Sequence, residues 1–164
     1  KLIQVFFFLT LIMSAQNQKK IALVIGNANY EDPNGVLKNP VNDSKLMSET
    51  FIELEFDSVI IANNLSYDAM RNVFREYRSH LKRFDVGFIY YSGHGMQDAY
   101  NETYLIPIDF PENSTIDDVT DYGYSIQDVL KSLNKGIRRT APENILTANN
   151  THKLPCLNGK LNLA

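Results

Sequence analysis

The chain has 164 residues, 44% of them hydrophobic and 21% charged, which is the composition of an ordinary folded domain. Sixteen basic residues against nineteen acidic ones give a formal charge of -3, and this balance argues against a general nucleic-acid binder, whose footprint is a basic face. The single cysteine, Cys156, excludes an internal disulfide framework. We therefore expect one domain that is held together by a hydrophobic core.

The first 18 residues carry the pattern of a secretory signal peptide. A basic residue, Lys1, precedes an apolar run over residues 2–13, and the small residues Ser14 and Ala15 stand before a polar break. The run is too short to cross a bilayer as a helix, so we expect no stable membrane insertion. A buried first strand is the alternative. We predict a signal peptide at residues 1–18 and a secreted or periplasmic product after its cleavage.

Apolar runs alternate with helical patterns along the chain. The runs cover residues 21–25, 59–62 and 86–91, and the first is unbroken, as in a strand that is buried on both faces. Helix starts are predicted at Asn39-Pro40, at Ser66 and at Ser125, and residues 104–108 form a short extended piece. This order predicts an α/β fold with a mostly parallel sheet and helices on both of its faces.

The sequence lacks the motifs of several common nucleotide-binding and catalytic sites. The first strand runs into Gly26-Asn27-Ala28, so neither glycine-rich phosphate-binding pattern occurs. Ser92 has a tyrosine two positions before it, where the serine nucleophile elbow needs glycine. Acidic loop residues would suit calcium, but they lack EF-hand spacing, and a solvated acidic surface is the favoured interpretation. These residues are Asp98, Asp109, Asp117, Asp118 and Asp121.

His94 has the position that best suits chemistry. It stands between two glycines where the third predicted strand ends, and functional groups collect at the carboxyl ends of parallel strands. The glycines predict an exposed imidazole that a ligand can approach closely, with the Gly95 N–H beside it. This arrangement suits a general base with an oxyanion donor. A turn histidine without a role is the alternative.

Four ordered segments together resemble the caspase-like cysteine peptidases, and among them the bacterial metacaspase-like members. They are KIALVIGNANY at 20–30, the segment 37–54 with Asn42-Asp43 inside the first predicted helix, DVGFIYYSGHG at 85–95, and YLIPID at 104–109. The resemblance covers residues 19–135. It implies a large-subunit (p20) domain with a caspase-like three-layer α/β fold, and a cysteine endopeptidase that acts on protein or peptide substrates.

The resemblance also implies roles for individual residues. His94 matches the histidine of the Cys/His dyad, and Gly95 matches the residue whose N–H helps to form the oxyanion hole. Members of the metacaspase branch cleave after Arg or Lys, and Asp98 is the matching acidic residue that we assign to the first specificity pocket. Some members use calcium, so the resemblance allows a Ca²⁺ cofactor.

The chain departs from the family after residue 135. The family's D-x-C nucleophile motif does not occur. If Asn144-Ile145-Leu146 begins the missing strand, Asn149 stands in the place of the thiol, and an amide cannot form a thioester. Cys156 is the only candidate thiol in the sequence. Residues 136–164 are therefore predicted to be a divergent or truncated tail, which makes the carboxyl-terminal part of the fold incomplete. The alternative function is an inactive caspase-like module that binds a protein partner, such as the missing small-subunit part.

Overall fold

The computed structural model describes residues 18–112 and 114–134, together with the backbone of 145–153, 156–157 and 160–161. The predicted signal peptide lies, apart from its last residue, outside the described residues. The strands are β1 Lys20–Gly26, β2 Ser58–Asn63, β3 Val86–Gln97, β4 Thr103–Leu105, β5 Tyr124–Ser125, β6 Ile145–Lys153, β7 Cys156–Leu157 and β8 Lys160–Leu161. The α-helices are α1 Pro40–Glu53, α2 Tyr67–Leu81, α3 Val119–Tyr122 and α4 Ile126–Asn134.

A sheet of mixed strand directions forms the centre of the fold. Its strand order is β2-β1-β3-β4-β5, and β6 also pairs with β3. The pairs β1–β2, β1–β3 and β3–β6 are parallel, whereas β3–β4 and β4–β5 are antiparallel. The expected α/β fold with a mostly parallel sheet is confirmed.

Helices cover both faces of this sheet. On one face, α2 and α4 pack against β1 and β3 in the largest core cluster, to which Phe74 and Leu133 contribute. On the other face, Phe51 of α1 packs against Val24 of β1. The five residues 21–25 of β1 have no exposed surface, because the strand lies between the two helical layers. Burying each of the four larger side chains, Ile21, Leu23, Val24 and Ile25, stabilises the fold by about 1.5–3 kcal/mol.

The helix starts agree with the sequence signals. The Ser66 hydroxyl accepts a hydrogen bond from the N–H of Ala69, and the Ser125 hydroxyl accepts one from the N–H of Asp128. Pro40 occupies the first turn of α1, where its missing N–H costs nothing. None of the helices in the part of the chain that the structure describes is long and apolar enough to cross a membrane.

Strand β3 is longer than its apolar run predicts. It continues through the sequence SGHG to Gln97, whereas the sequence places the strand end near Tyr91. The extension forms because residues 87–95 pair with β6 and residues 95–97 pair with β4. His94 therefore belongs to a strand and not to a turn.

Strand β6 confirms that a strand begins near Asn144-Ile145-Leu146. It runs parallel to β3, with Asn149 in register with Tyr91 and His152 in register with His94. Cys156 lies in β7, which pairs with β8 in a separate two-stranded sheet.

Candidate active site

The carboxyl end of β1 adjoins the middle of β3. Gly26 is in register with Ser92, and the N–H of Asn27 donates to the Ser92 carbonyl at 2.8 Å. The buried Asn27 side chain then joins two further chain segments, because its oxygen accepts from the Leu65 N–H and its NH₂ group donates to the Ile106 carbonyl. This side chain fixes the loops that surround His94.

His94 is buried, with 2% of its surface exposed. Its Nε2 lies 2.8 Å from the carbonyl oxygen of Gly35, which belongs to a short 3₁₀ turn at Pro33–Gly35. The expectation of an exposed imidazole is wrong. The physical reason is that the segment after β1 folds over the end of β3 and brings the Gly35 carbonyl and the Tyr30 ring against the histidine.

Tyr30 makes two contacts with His94. Its ring centroid lies 4.5 Å from that of the imidazole, and its hydroxyl accepts the backbone N–H of His94 at 2.7 Å. Burial raises the pKa of Tyr30 to about 12, so its hydroxyl stays neutral near pH 7. Our sequence reasoning did not assign Tyr30 to the site. The signal for it was the tyrosine that closes the G-N-x-x-Y pattern after β1.

A second tyrosine completes the support of this backbone. The Tyr91 hydroxyl lies 3.0 Å from the His94 carbonyl and 2.8 Å from the Ile106 carbonyl, and it can donate to either. A Cβ atom at Gly93 would lie 2.6 Å from the Tyr91 hydroxyl and 2.8 Å from that of Tyr30. The space beside Gly93 is therefore occupied by the hydroxyl groups of Tyr30 and Tyr91. The sequence had predicted that this space would admit a ligand.

Ser92 brings a carboxylate to the same part of β3. Its hydroxyl donates to Asp43 Oδ2 at 2.9 Å. Asp43 is half-buried in the first turn of α1, where the positive end of the helix dipole favours a negative charge. It falls within the segment that resembles the caspase-like peptidases, but our sequence reasoning gave it no role. Through this bond, Asp43 places a carboxylate beside Ser92, which stands two residues before His94.

Gly95 and Asp98 follow His94 in sequence. Gly95 is buried, in register with Leu105 of β4 and Lys153 of β6. The Asp98 carboxylate accepts the N–H groups of Tyr100 and Glu102, at 2.8 and 2.9 Å. These bonds close the turn between β3 and β4. The roles of Gly95 in the oxyanion hole and of Asp98 in the specificity pocket stay predictions.

The acidic residues after His94 serve separate local purposes. The Asp98 carboxylate closes a turn, Asp109 accepts the Tyr67 N–H at the start of α2, and Asp118 accepts both the N–H and the hydroxyl of Thr115. Across the described ranges, no group of three or more His, Cys, Asp or Glu side chains is placed to hold a metal ion. The described residues therefore do not form the calcium site that the resemblance allows, and we derive no step through calcium.

Comparison with known proteins identifies the family. The profile of the caspase domain matches residues 19–135. The chain belongs to the caspase domain family. Human mucosa-associated lymphoid tissue lymphoma translocation protein 1 is 33% identical over 92 residues, and its mouse homologue is 32% identical over 93 residues. The matched stretch covers 56% of this chain but 11% of each relative.

Membership of the caspase domain family defines the broad class of the protein. The chain is a caspase-family peptidase or a related module. The candidate site is the part of this caspase domain where Gly35 and Tyr30 contact His94, and where Asp43 accepts a hydrogen bond from nearby Ser92.

Proposed function

We propose that this chain carries the histidine and oxyanion side of a cysteine endopeptidase of caspase type. The observation that supports the proposal is the 2.8 Å contact between His94 Nε2 and the Gly35 carbonyl. A carbonyl oxygen can only accept, so Nε2 holds the proton in this contact. In the neutral ring, Nδ1 is then the nitrogen that takes up a proton.

The proposed reaction uses this tautomer. A thiolate attacks the peptide carbonyl carbon, and the negative charge that develops on its oxygen is stabilised by the Gly95 N–H. The C–N bond then breaks as the protonated His94 gives its Nδ1 proton to the departing amine. A water molecule hydrolyses the thioester, and the thiol is restored. Cys156 is the only thiol that this sequence offers for the first step.

A buried histidine backbone favours this chemistry because it fixes the ring. The N–H and carbonyl of His94 are bonded to Tyr30 and Tyr91, and the ring contacts Tyr30 on one side. An imidazole that is held in this way does not need to reorganise during proton transfer, which is how enzymes lower the barrier of such steps.

We propose that the enzyme prefers Arg or Lys before the cleaved bond. Two carboxylates support this preference: Asp98, which the family resemblance selects, and Asp43, which Ser92 holds near the end of β3. Asp43→Asn and Asp98→Asn separate them. The substitution that neutralises the carboxylate which binds the basic side chain should lower kcat/KM for an arginine substrate by at least about tenfold. The reason is that charge-assisted hydrogen bonds contribute roughly 1.5–3 kcal/mol.

The decisive experiment labels the protein with an arginine-directed, thiol-reactive peptide and locates the adduct by intact mass and peptide mapping. We expect one adduct on Cys156, its loss in His94→Ala, and its retention in the control His80→Ala. His80 is a suitable control because it lies on α2 beside Glu76. Circular dichroism confirms that each variant is folded.

An unlabelled but folded protein would support the second candidate function, a caspase-like interaction module without catalysis. The observation that favours this candidate is the sequence of β6, ILTANNTHK, which runs beside β3 and contains no cysteine. Such a module binds a protein partner saturably without hydrolysing it, and its binding does not change in Cys156→Ala.

A further inference from the structure

A groove lies between α2 and α4, on the face of the sheet that both helices cover. Its volume is about 290 Å³. Phe74, Tyr124 and Val129 form an apolar floor, and Arg71, Arg75 and Arg78 form one rim. We call these six residues the arginine groove. The volume is at the low end for small-molecule sites, so it suits one or two side chains better than a whole metabolite.

The floor of the arginine groove is apolar and well packed. Phe74 and Val129 belong to the largest core cluster, and the Tyr124 ring lies 5.7 Å from the Phe74 ring. The Tyr124 hydroxyl donates to the Tyr67 carbonyl and is thus already used inside the protein. A ligand that enters the groove therefore meets mainly hydrocarbon on the floor.

The three arginines share one face of α2, because they are spaced four and three residues apart. Arg78 donates across the groove to the Ser132 hydroxyl at 2.7 Å, and Arg75 donates to the Asn72 side chain at 2.6 Å. Both acceptors are neutral, so they orient the guanidinium groups without cancelling their charge.

Two carboxylates lie beside this rim of three arginines. Arg71 contacts Asp68 at 3.7 Å, but both side chains are more than 60% exposed, and such pairs contribute about 0–1 kcal/mol. Asp128 also lines the groove, and it pairs with Lys131 at 3.3 Å. In the part of the chain that the structure describes, Arg75 and Arg78 form no ion pair. The rim is thus a local positive patch on a chain of net charge -3.

We propose that the arginine groove docks an acidic peptide segment of a partner protein. An apolar side chain of the peptide packs on Phe74 and Val129, and flanking carboxylates bind the rim arginines, whose planar groups match carboxylate geometry. Charge complementarity selects this occupant over a neutral or basic one. The groove residues are not among the described contacts of His94, so the proposal does not depend on the catalytic one.

The test measures fluorescence anisotropy with a fluorescein-labelled peptide that alternates glutamate with leucine and phenylalanine. Its control probe has lysine at every glutamate position. We expect saturable binding of the acidic probe alone, and weaker binding as salt screens the charges. The combined variant Arg71→Glu, Arg75→Glu and Arg78→Glu should lose binding by at least about tenfold, equivalent to about 1.4 kcal/mol.

A charge-matched variant separates the groove from the overall charge. Lys45, Lys82 and Arg83 are exposed and lie outside the groove, so changing all three to glutamate alters the net charge equally. We expect this variant to retain binding. Val129→Ser keeps every charge but makes the floor of the arginine groove more polar, so it should weaken binding of the acidic probe several-fold.

Three results would overturn the proposal. They are equal losses in the two charge variants, no binding of the acidic probe by the folded wild-type protein, and binding to anionic phosphatidylserine vesicles in place of the peptide. Because the readout is binding and not peptide hydrolysis, none of these results bears on the proposed peptidase.

Discussion

Replacing Tyr30 by phenylalanine removes one oxygen atom from the support of His94 and leaves the ring in place. The lost hydroxyl accepts the His94 N–H at 2.7 Å and lies 3.3 Å from the Ile106 carbonyl. That carbonyl still lies 2.8 Å from the Tyr91 hydroxyl. The Tyr30 hydroxyl is the described acceptor of the His94 N–H, and water has little access to replace it because Tyr30 is only 7% exposed. An unsatisfied buried N–H costs about 1–3 kcal/mol. We therefore expect Tyr30→Phe to lower the free energy of unfolding by about 2 kcal/mol.

Urea denaturation measures this loss as a lower midpoint with an unchanged slope. Tyr100→Phe is the matched control, because Tyr100 is 89% exposed and its hydroxyl is accessible to water. We expect that control to stay within about 0.5 kcal/mol of the wild type. Equal stability of the two variants would refute the reasoning, since it would show that the His94 N–H does not need the Tyr30 hydroxyl.

The same variant changes the pH dependence of stability. Burial raises the pKa of Tyr30 to about 12 in the folded state, against a usual value of 10.0. The folded protein thus holds this proton more tightly than the unfolded chain does. The contribution of the Tyr30 proton to the free energy of unfolding is fully present below pH 10. It is lost as the pH rises from 10 to 12, by roughly 1.4 kcal/mol per pH unit. Between pH 10 and 12, the free energy of unfolding of Tyr30→Phe should therefore fall less steeply than that of the wild type, by up to roughly 1.4 kcal/mol per pH unit. Parallel pH profiles for the two proteins would contradict this.

Three further predictions concern other parts of the chain. Gly93→Ala places a Cβ against two buried hydroxyls and should lower stability by about 1–3 kcal/mol in thermal melts; an unchanged melting temperature would argue against the close packing there. Ser66→Ala removes the cap of α2 and should cost about 1 kcal/mol in urea, whereas the exposed Ser79→Ala should cost far less. If the amino-terminal segment is a signal peptide that is cleaved after Ser14 and Ala15, amino-terminal sequencing of the exported protein should begin near Gln16, and an uncleaved product would count against it.

The strands and helices could be predicted from the sequence because their signals are local. The apolar run at 21–25 and the capping residue Ser66 report on their own neighbourhoods, and both were interpreted correctly. The extension of β3 to Gln97 was missed because glycines at 93 and 95 indicate a turn when they are considered alone. Their extended backbone is stabilised by pairing with β4 and β6, which no local pattern contains.

The candidate site could be predicted in part for the same reason. His94 was located by its motif, but its burial depends on Tyr30 and Gly35, which lie about sixty residues earlier in the chain. The hydrogen bond between Ser92 and Asp43 likewise joins residues 49 positions apart. Each residue type was visible in the sequence. Their meeting depends on how the segment after β1 and the start of α1 fold over the end of β3.

The partner of the imidazole is a backbone atom, and this affects how the site tolerates sequence change. The Gly35 carbonyl is positioned by a turn in which Asp32 accepts the Asn34 N–H with its side chain and the Gly35 N–H with its carbonyl. No side chain can be mutated to remove that carbonyl. Substitutions that preserve the turn should therefore preserve the orientation of His94. Substitutions at Asp32 or Pro33 that alter the turn should displace the Gly35 carbonyl and so change the orientation of the imidazole, although neither residue contacts it directly. The orientation of His94 thus depends on the backbone conformation of residues 32–35 and not on a particular side chain at the contact.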